Sequence, residues 1–308
     1  MSVAKAVPES FAQTLAARRQ QAAGTSVGQS YGQVAWRRFR HHRLAMVGAG
    51  VALGLILMAL LAPWLAPYAF DRIALGSRWA SPSAEHFFGT DELGRDVLTR
   101  IMYAGRISLS VGFLVALNVS IIGMVVGATA GFYGRVPDVV LMRLVDVLLS
   151  VPTLPLYLIL AALIPGGGVS RIIIIFTAFG WTGVARLVRG QILSLRTLEF
   201  VQAARAMGAS GPRIILRHLL PNALAPVIVA ATLAVGGAIL GESALSFLGL
   251  GIQPPTPSWG NMLQRAQEYI WSAPHLAIFP GLFIFLTVLS FNFLGDGLRD
   301  ALDPRLRM

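Results

Sequence analysis

A chain of 308 residues, 55% hydrophobic and only 13% charged, with a mean hydropathy of +0.67, is too apolar for an ordinary soluble domain and reads as an integral membrane protein. Its formal charge of +11 does not point to nucleic acid, because no soluble basic face is left once the apolar runs are removed, and arginines beside spans orient a chain in the bilayer. The absence of cysteine excludes a disulfide framework, thiol catalysis and cysteine metal sites.

In chain order, residues 1–36 are rich in Ala, Gln, Ser and Gly without apolar periodicity, which predicts a flexible tail. The first apolar run, Ala45–Leu65, is uncharged and has the length of about 20 residues that a span requires. It begins too far into the chain for a cleavable signal peptide. Further spans are expected at Ile107–Phe132, at Val139–Ile164 with Arg143 and Asp146 near its start, and at Ile172–Ala185, continuing past Arg186 and Arg189 on snorkelling stems. The last two are Ala223–Leu250, which contains Glu242, and Leu276–Leu294. The expected fold is all-α and polytopic with six transmembrane helices. It divides into the tail, a first span with its extracytoplasmic loop (37–105), a five-span core (106–299) and a carboxy-terminal tail (300–308).

Six spans place both termini on one side. Lys5, Arg18, Arg19, Arg37, Arg38, Arg40 and Arg43 precede the first span, so that side is cytoplasmic. The loop after the first span balances Arg72, Arg78, Arg95, Arg100 and Arg106 against Asp71, Glu85, Asp91, Glu92 and Asp96. On this scheme Ser83 and Ser258 face outward and Ser210 inward.

Between the fourth and fifth spans lies "LEFVQAARAMGASGPRIILRHLLPN", residues 198–222. Phe200, Ala203, Ala204 and Met207 recur at helical spacing, with Glu199, Gln202 and Arg205 on another face, which predicts an amphipathic helix. Gly208 is placed to end it in the left-handed conformation. Ser210 and Pro212 then start a second helix that Pro221 ends. Periodicity and charge alone admit an interfacial helix resting on anionic lipid.

"QAARAMGASGPRIILRHLLPN" resembles the EAA loop of ATP-binding cassette (ABC) importer permeases, matching at Ala203, Ala204, Gly208, Leu220 and Pro221, with Gln202 where the family has glutamate. "FGTDELGRDVLTRIMYAGRISLSVG" (88–112), "SFLGLGIQPPTPSWGNML" (246–263) and the terminal "LGDGLRDALDPRLR" narrow the resemblance to the C-type subunit of the dipeptide, oligopeptide and nickel branch, from about Arg37 onward. The resemblance implies a bacterial inner-membrane, multi-pass permease that translocates a peptide or related solute. Its implied partners are a second homologous permease subunit, two cytoplasmic ATP-binding subunits and an extracytoplasmic solute-binding protein. It implies ATPase coupling through Glu199, Gln202, Ala203, Ala204, Arg205, Gly208, Ala209 and Pro221. A P-loop needs a lysine within its glycine-rich turn, and Lys5 is the only lysine in the chain, so ATP hydrolysis falls to partners and no enzymatic role or cofactor is expected.

Pro152 and Pro155 in the third span and Gly241 and Glu242 in the fifth are candidates for the translocation path, with plain packing of small residues as the alternative. Intramembrane Asp146 and Glu242 also admit a proton-coupled secondary transporter, against which Asp146 can pair with Arg143 one turn earlier. A structural or signalling membrane subunit is a third class, with only the lack of catalytic motifs behind it. In "TDELGRDV", a capping Asp91 paired with Arg95 is expected, and no metal site. His41 and His42 are expected at the lipid headgroups.

Overall fold

The computed structural model describes residues 31–302 except position 167. The tail up to residue 30, including Lys5, Arg18 and Arg19, and the final residues 303–308 lie outside the described residues. Residues 31–36, which the tail reading included, begin a helix, α1 (Tyr31–His41). α1 is followed at once by α2 (Arg43–Leu60), whose first turn is capped by His42: its Nδ1 accepts from the Ala45 amide at 3.1 Å and its Nε2 is 3.5 Å from Asp300. His42 thus caps and pairs, which the headgroup reading did not foresee.

A one-turn helix, α3 (Ala62–Leu65), leads into the loop before α4 (Val97–Tyr133). The 37 residues of α4 start ten positions ahead of the expected span, because Asp96 accepts a hydrogen bond from the Thr99 amide at 2.8 Å and fixes the first turn. Asp91, expected to cap, instead accepts from the amides of Leu93 and Arg95 and pairs with Arg95 Nε at 2.7 Å. The pairing was legible and the cap was not.

The third span is broken. α5 (Arg135–Ser150) and α6 (Thr153–Leu163) meet at 87°. Pro152 disfavours helical backbone at the residue before it, and Val151 is extended at φ −92° and ψ 130°. Pro155 falls in the first turn of α6, where a missing N–H costs nothing. α7 (Val169–Leu195) does run on past Arg186 and Arg189, but their guanidinium groups have partners. Arg189 makes a two-pronged contact with Asp138 at 2.5 and 2.7 Å, and Arg186 takes Asp146 at 2.5 Å. Asp146 therefore pairs across helices with Arg186 and not along its own helix with Arg143.

After α7 come α8 (Glu199–Ala206) and α9 (Gly211–Ile214), and α9 passes through a π turn at Ile215–Leu219 directly into α10 (Leu220–Phe247). Pro221 does not end a short helix, since the wider turn accommodates a residue without an N–H and Gly211–Phe247 forms one continuous helix of 37 residues. α11 (Trp259–Ala266) is a short helix in the last loop, and α12 (His275–Leu302) closes the fold. Among the described residues, five helices are long and apolar enough to cross a membrane, and six spans result if α5 and α6 count as one.

α4 packs most extensively on α7, and α10 and α12 join the bundle through α4 and α2. Lipid is as apolar as leucine, so close van der Waals packing holds such helices together. Gly123, Gly127 and Gly131 form a small-residue seam on α4: a Cβ at Gly127 would fall 2.4 Å from the Ala185 carbonyl oxygen, and one at Gly123 2.6 Å from Val184 Cβ.

Candidate functional site

The segment 198–222 forms a corner. In α8, Val201 and Ala204 are buried against Val188, Ile192, Ile214 and Leu219. Phe200, Ala203 and Met207, expected on the same apolar face as Ala204, stay exposed beside it, and Met207 is 81% exposed. The helix has two apolar faces, one seated on the bundle and one open. Glu199, Gln202 and Arg205 are exposed; Gln202 Nε2 donates to the Arg196 carbonyl at 3.1 Å, and the Arg205 guanidinium lies 5.1 Å from the centre of the Phe132 ring.

Gly208 has φ +81°, the left-handed conformation glycine adopts without a Cβ penalty. Its amide donates to the Arg205 carbonyl at 2.9 Å, and the Ala209 amide donates to the Ala204 carbonyl at 3.0 Å. Those two bonds make a Schellman motif, and the accompanying hydrophobic contact falls to Ala204 and Ala209, which share one apolar cluster. The alanines at 204 and 209 are therefore parts of the turn itself. Pro221 is exposed, past the π turn at the start of α10.

At the opposite end, the loop between α3 and α4 is folded on its own backbone: the Ala74 amide donates to the Leu93 carbonyl at 3.1 Å and the Trp79 amide to the Asp91 carbonyl at 3.2 Å. The Thr90 hydroxyl donates to the Ser77 carbonyl. Gly94, at φ +73°, lies so close to Ala74 that any side chain would collide with its carbonyl. Asp91, Glu92, Arg95, Arg100 and Arg265 form a largely enclosed charged network; Arg265 of α11 reaches Glu92 at 3.2 Å and ties α11 to this loop. Among the described residues, no cluster of three His, Asp or Glu side chains is arranged to hold a metal ion.

The path candidates separate. Pro152 and Pro155 are exposed at the break in the third span. Gly241 instead packs on the Phe176 ring, where a Cβ would approach within 3.2 Å, and Glu242 is fully enclosed. Gly241 keeps part of its surface exposed, whereas Glu242 presents none in this conformation. Ser258, expected to face outward, is also buried, as half of a capping box with Asn261. Arg171, which no sequence motif marks, donates from Nη1 to the carbonyls of Ala161 and Ile164 at 3.1 and 3.3 Å, and from Nη2 to those of Leu250 and Gly251 at 2.7 and 3.0 Å.

Residues 123–308 fit the model of the family described as binding-protein-dependent transport system inner membrane component. The chain belongs to that family. Residues 30–82 match the N-terminal transmembrane domain of oligopeptide transport permease C. The chain is 48% identical over 279 residues to the dipeptide transport system permease protein DppC of Bacillus subtilis strain 168, covering 90% of this chain and 87% of that protein. It is 44% identical over 273 residues to the DppC of Alkalihalophilus pseudofirmus, covering 89% and 90%. It is also 44% identical over 276 residues to the glutathione transport system permease protein GsiD of Escherichia coli O157:H7, covering 88% and 90%. The chain is thus a multi-pass, inner-membrane permease subunit of a binding-protein-dependent ABC importer and not a catalytic enzyme. The proton-coupled reading is set aside on the same grounds.

Proposed function

We propose that this permease pairs with a second, homologous permease subunit above two ATP-binding subunits, and that it passes inward a peptide or related solute delivered by an extracytoplasmic binding protein. The names of its relatives support that solute class, dipeptides in two cases and glutathione in another. Both termini and the corner face the cytoplasm, in keeping with the arginines of α1 and of residues 186–217. ATP hydrolysis belongs to the partners.

The observation that carries this reading is the Schellman corner at Gly208 with an open apolar stripe, Phe200, Ala203 and Met207, on its outer face. An exposed apolar stripe on a short helix fits a groove on another protein. The buried face of the same helix connects it to α7, and α9 runs without interruption into α10. Closure of the ATPase subunits on ATP would therefore tilt α7 and α10 together. Glu199, Gln202 and Arg205 flank the stripe and set its orientation in the groove. The exposed break at Pro152 and Pro155 borders the path.

No atom lies within 4 Å of where a Cβ at Gly208 would sit, so a substitution there acts on backbone conformation alone. Valine would incur roughly 1–2 kcal/mol of left-handed strain, and its relief re-aims α8. Gly208→Val is expected to reach the membrane at normal abundance and to lose solute uptake by about tenfold or more, while Gly208→Asn keeps most of it. Full uptake by Gly208→Val, measured beside membrane abundance and ATPase co-purification, would return the segment to a lipid-surface helix.

Orientation has a separate test, since the chain has no native cysteine. Ser83 and Ser210 are both exposed, so Ser83→Cys should react with an impermeant thiol reagent in intact cells and Ser210→Cys should not. The reverse pattern overturns the orientation.

A further inference from the structure

Glu242 is the acid that the transport reading leaves without a task. It is 0% exposed on α10, and among the described residues its hydrogen-bond partners are hydroxyls: Oε1 accepts from Ser246 at 2.6 Å and from Ser258 at 2.8 Å. Burying a carboxyl in a membrane bundle is costly, and a leucine would fill the space without that cost.

What the carboxyl does is orient two serines. A hydroxyl has one proton to give and lone pairs to accept with. Ser246 gives its proton to Glu242 and accepts from the Ile252 amide at 3.1 Å, which fixes the chain just after α10. Ser258 gives its proton to the same oxygen and accepts from the Asn261 amide at 3.2 Å, which caps α11. Asn261 in turn donates to the carbonyls of Ile252 and Thr256 at 3.1 and 2.8 Å. Each hydroxyl faces the loop backbone with its lone pairs because Glu242 takes its proton.

We propose that Glu242 is a positioning residue that latches α11 to α10, so that the cytoplasmic corner and the extracytoplasmic loop move as the two ends of one rigid body. The idea rests on the coupling reading for what drives that body. Gly211–Phe247 is continuous helix, Glu242 stands within its last two turns, and α11 beyond the latch carries Arg265 to Glu92 of the folded loop. The Trp259 amide also donates to the Ser108 hydroxyl at 3.2 Å, which brings the outer part of α4 into the same body.

The test uses spin-label distance measurements on the assembled transporter. Ser210 and Glu268 are exposed and lie at opposite ends of the body, so the pair Ser210→Cys and Glu268→Cys reports its length. With Glu242 in place, one narrow distance is expected, the same with and without a non-hydrolysable ATP analogue. Glu242→Leu should broaden it and lower uptake about tenfold while the ATPase subunits still co-purify. Glu242→Gln keeps an acceptor oxygen for both serines and should restore the narrow distance and most of the uptake. A nucleotide-dependent distance in the otherwise unaltered chain overturns the rigid body, and a narrow distance with normal uptake in Glu242→Leu overturns the latch. Should Gly208→Val transport normally while Glu242→Leu broadens the distance, the coupling reading falls and the latch stands.

Discussion

Gly127→Val is expected to prevent the permease from accumulating as a folded, protease-resistant membrane protein. A Cβ there would lie 2.4 Å from the Ala185 carbonyl oxygen, 2.9 Å from Val188 Cβ and 3.0 Å from the Arg189 amide nitrogen. Two of those three atoms are backbone, so no rotamer change relieves the contact and α4 must move away from α7. Separation would also open the neighbouring contacts at Gly123 and Gly131 and pull Arg189 from Asp138. The cost stands at or above the upper end of the roughly 1–3 kcal/mol seen for overpacked cores. Gly190→Val is the control, because Gly190 faces outward on α7 with nothing within 4 Å. Limited trypsin digestion of membranes should degrade the first variant and spare the second; resistance of Gly127→Val equal to that of the unaltered chain would remove the seam from the account of stability.

Arg171→Met is expected to lower the thermal unfolding midpoint of the purified permease by roughly 6–12 °C. Hydrogen bonds from a charged group contribute about 1.5–3 kcal/mol each, and this guanidinium serves four carbonyls, two just before or after the end of α6 and two beyond α10. Both pairs sit at the negative ends of helix dipoles, which favour a cation. The four bonds do not add independently, so a net loss of about 3 kcal/mol is the working figure. Lysine keeps the charge but has no planar fork to span two carbonyl pairs, and Arg171→Lys should recover less than half of the loss. An unchanged midpoint in Arg171→Met, read by intrinsic tryptophan fluorescence, would show that other contacts hold the loop after α10.

The spans were legible because bilayer thickness imposes a length on apolar runs, and the corner was legible because Gly208 follows an amphipathic stretch at the spacing a Schellman turn requires. Pairings between distant segments were not. Arg143 is the partner sequence proximity offers Asp146, whereas Arg186, 40 positions away, is brought beside it by the packing of α5 against α7. Helical spacing put Ala204 with Phe200, Ala203 and Met207, yet a short helix can bury one apolar face and leave another open. The capping box at Ser258 carries Asn261 where the usual signal is Glu or Gln. Pro221 looked like a stop because a proline ends an α-helix interior, and the π turn that lets the chain continue has no sequence signature of comparable strength. The glycine seam consists of small residues four apart, a spacing that does not stand out among the chain's 32 glycines.

Chain growth meets Glu242 before it meets Ser258. Ser258 lies 16 residues farther along the chain, in the loop after α10, and an acidic side chain without a partner inside a span costs up to a few kcal/mol on insertion scales. Ser246 lies four residues along the same helix and already donates to the carboxyl. The helix thus carries one partner for its acid through membrane insertion, and the second arrives with α11 as the last loop forms. The order of synthesis is written into the spacing of two serines.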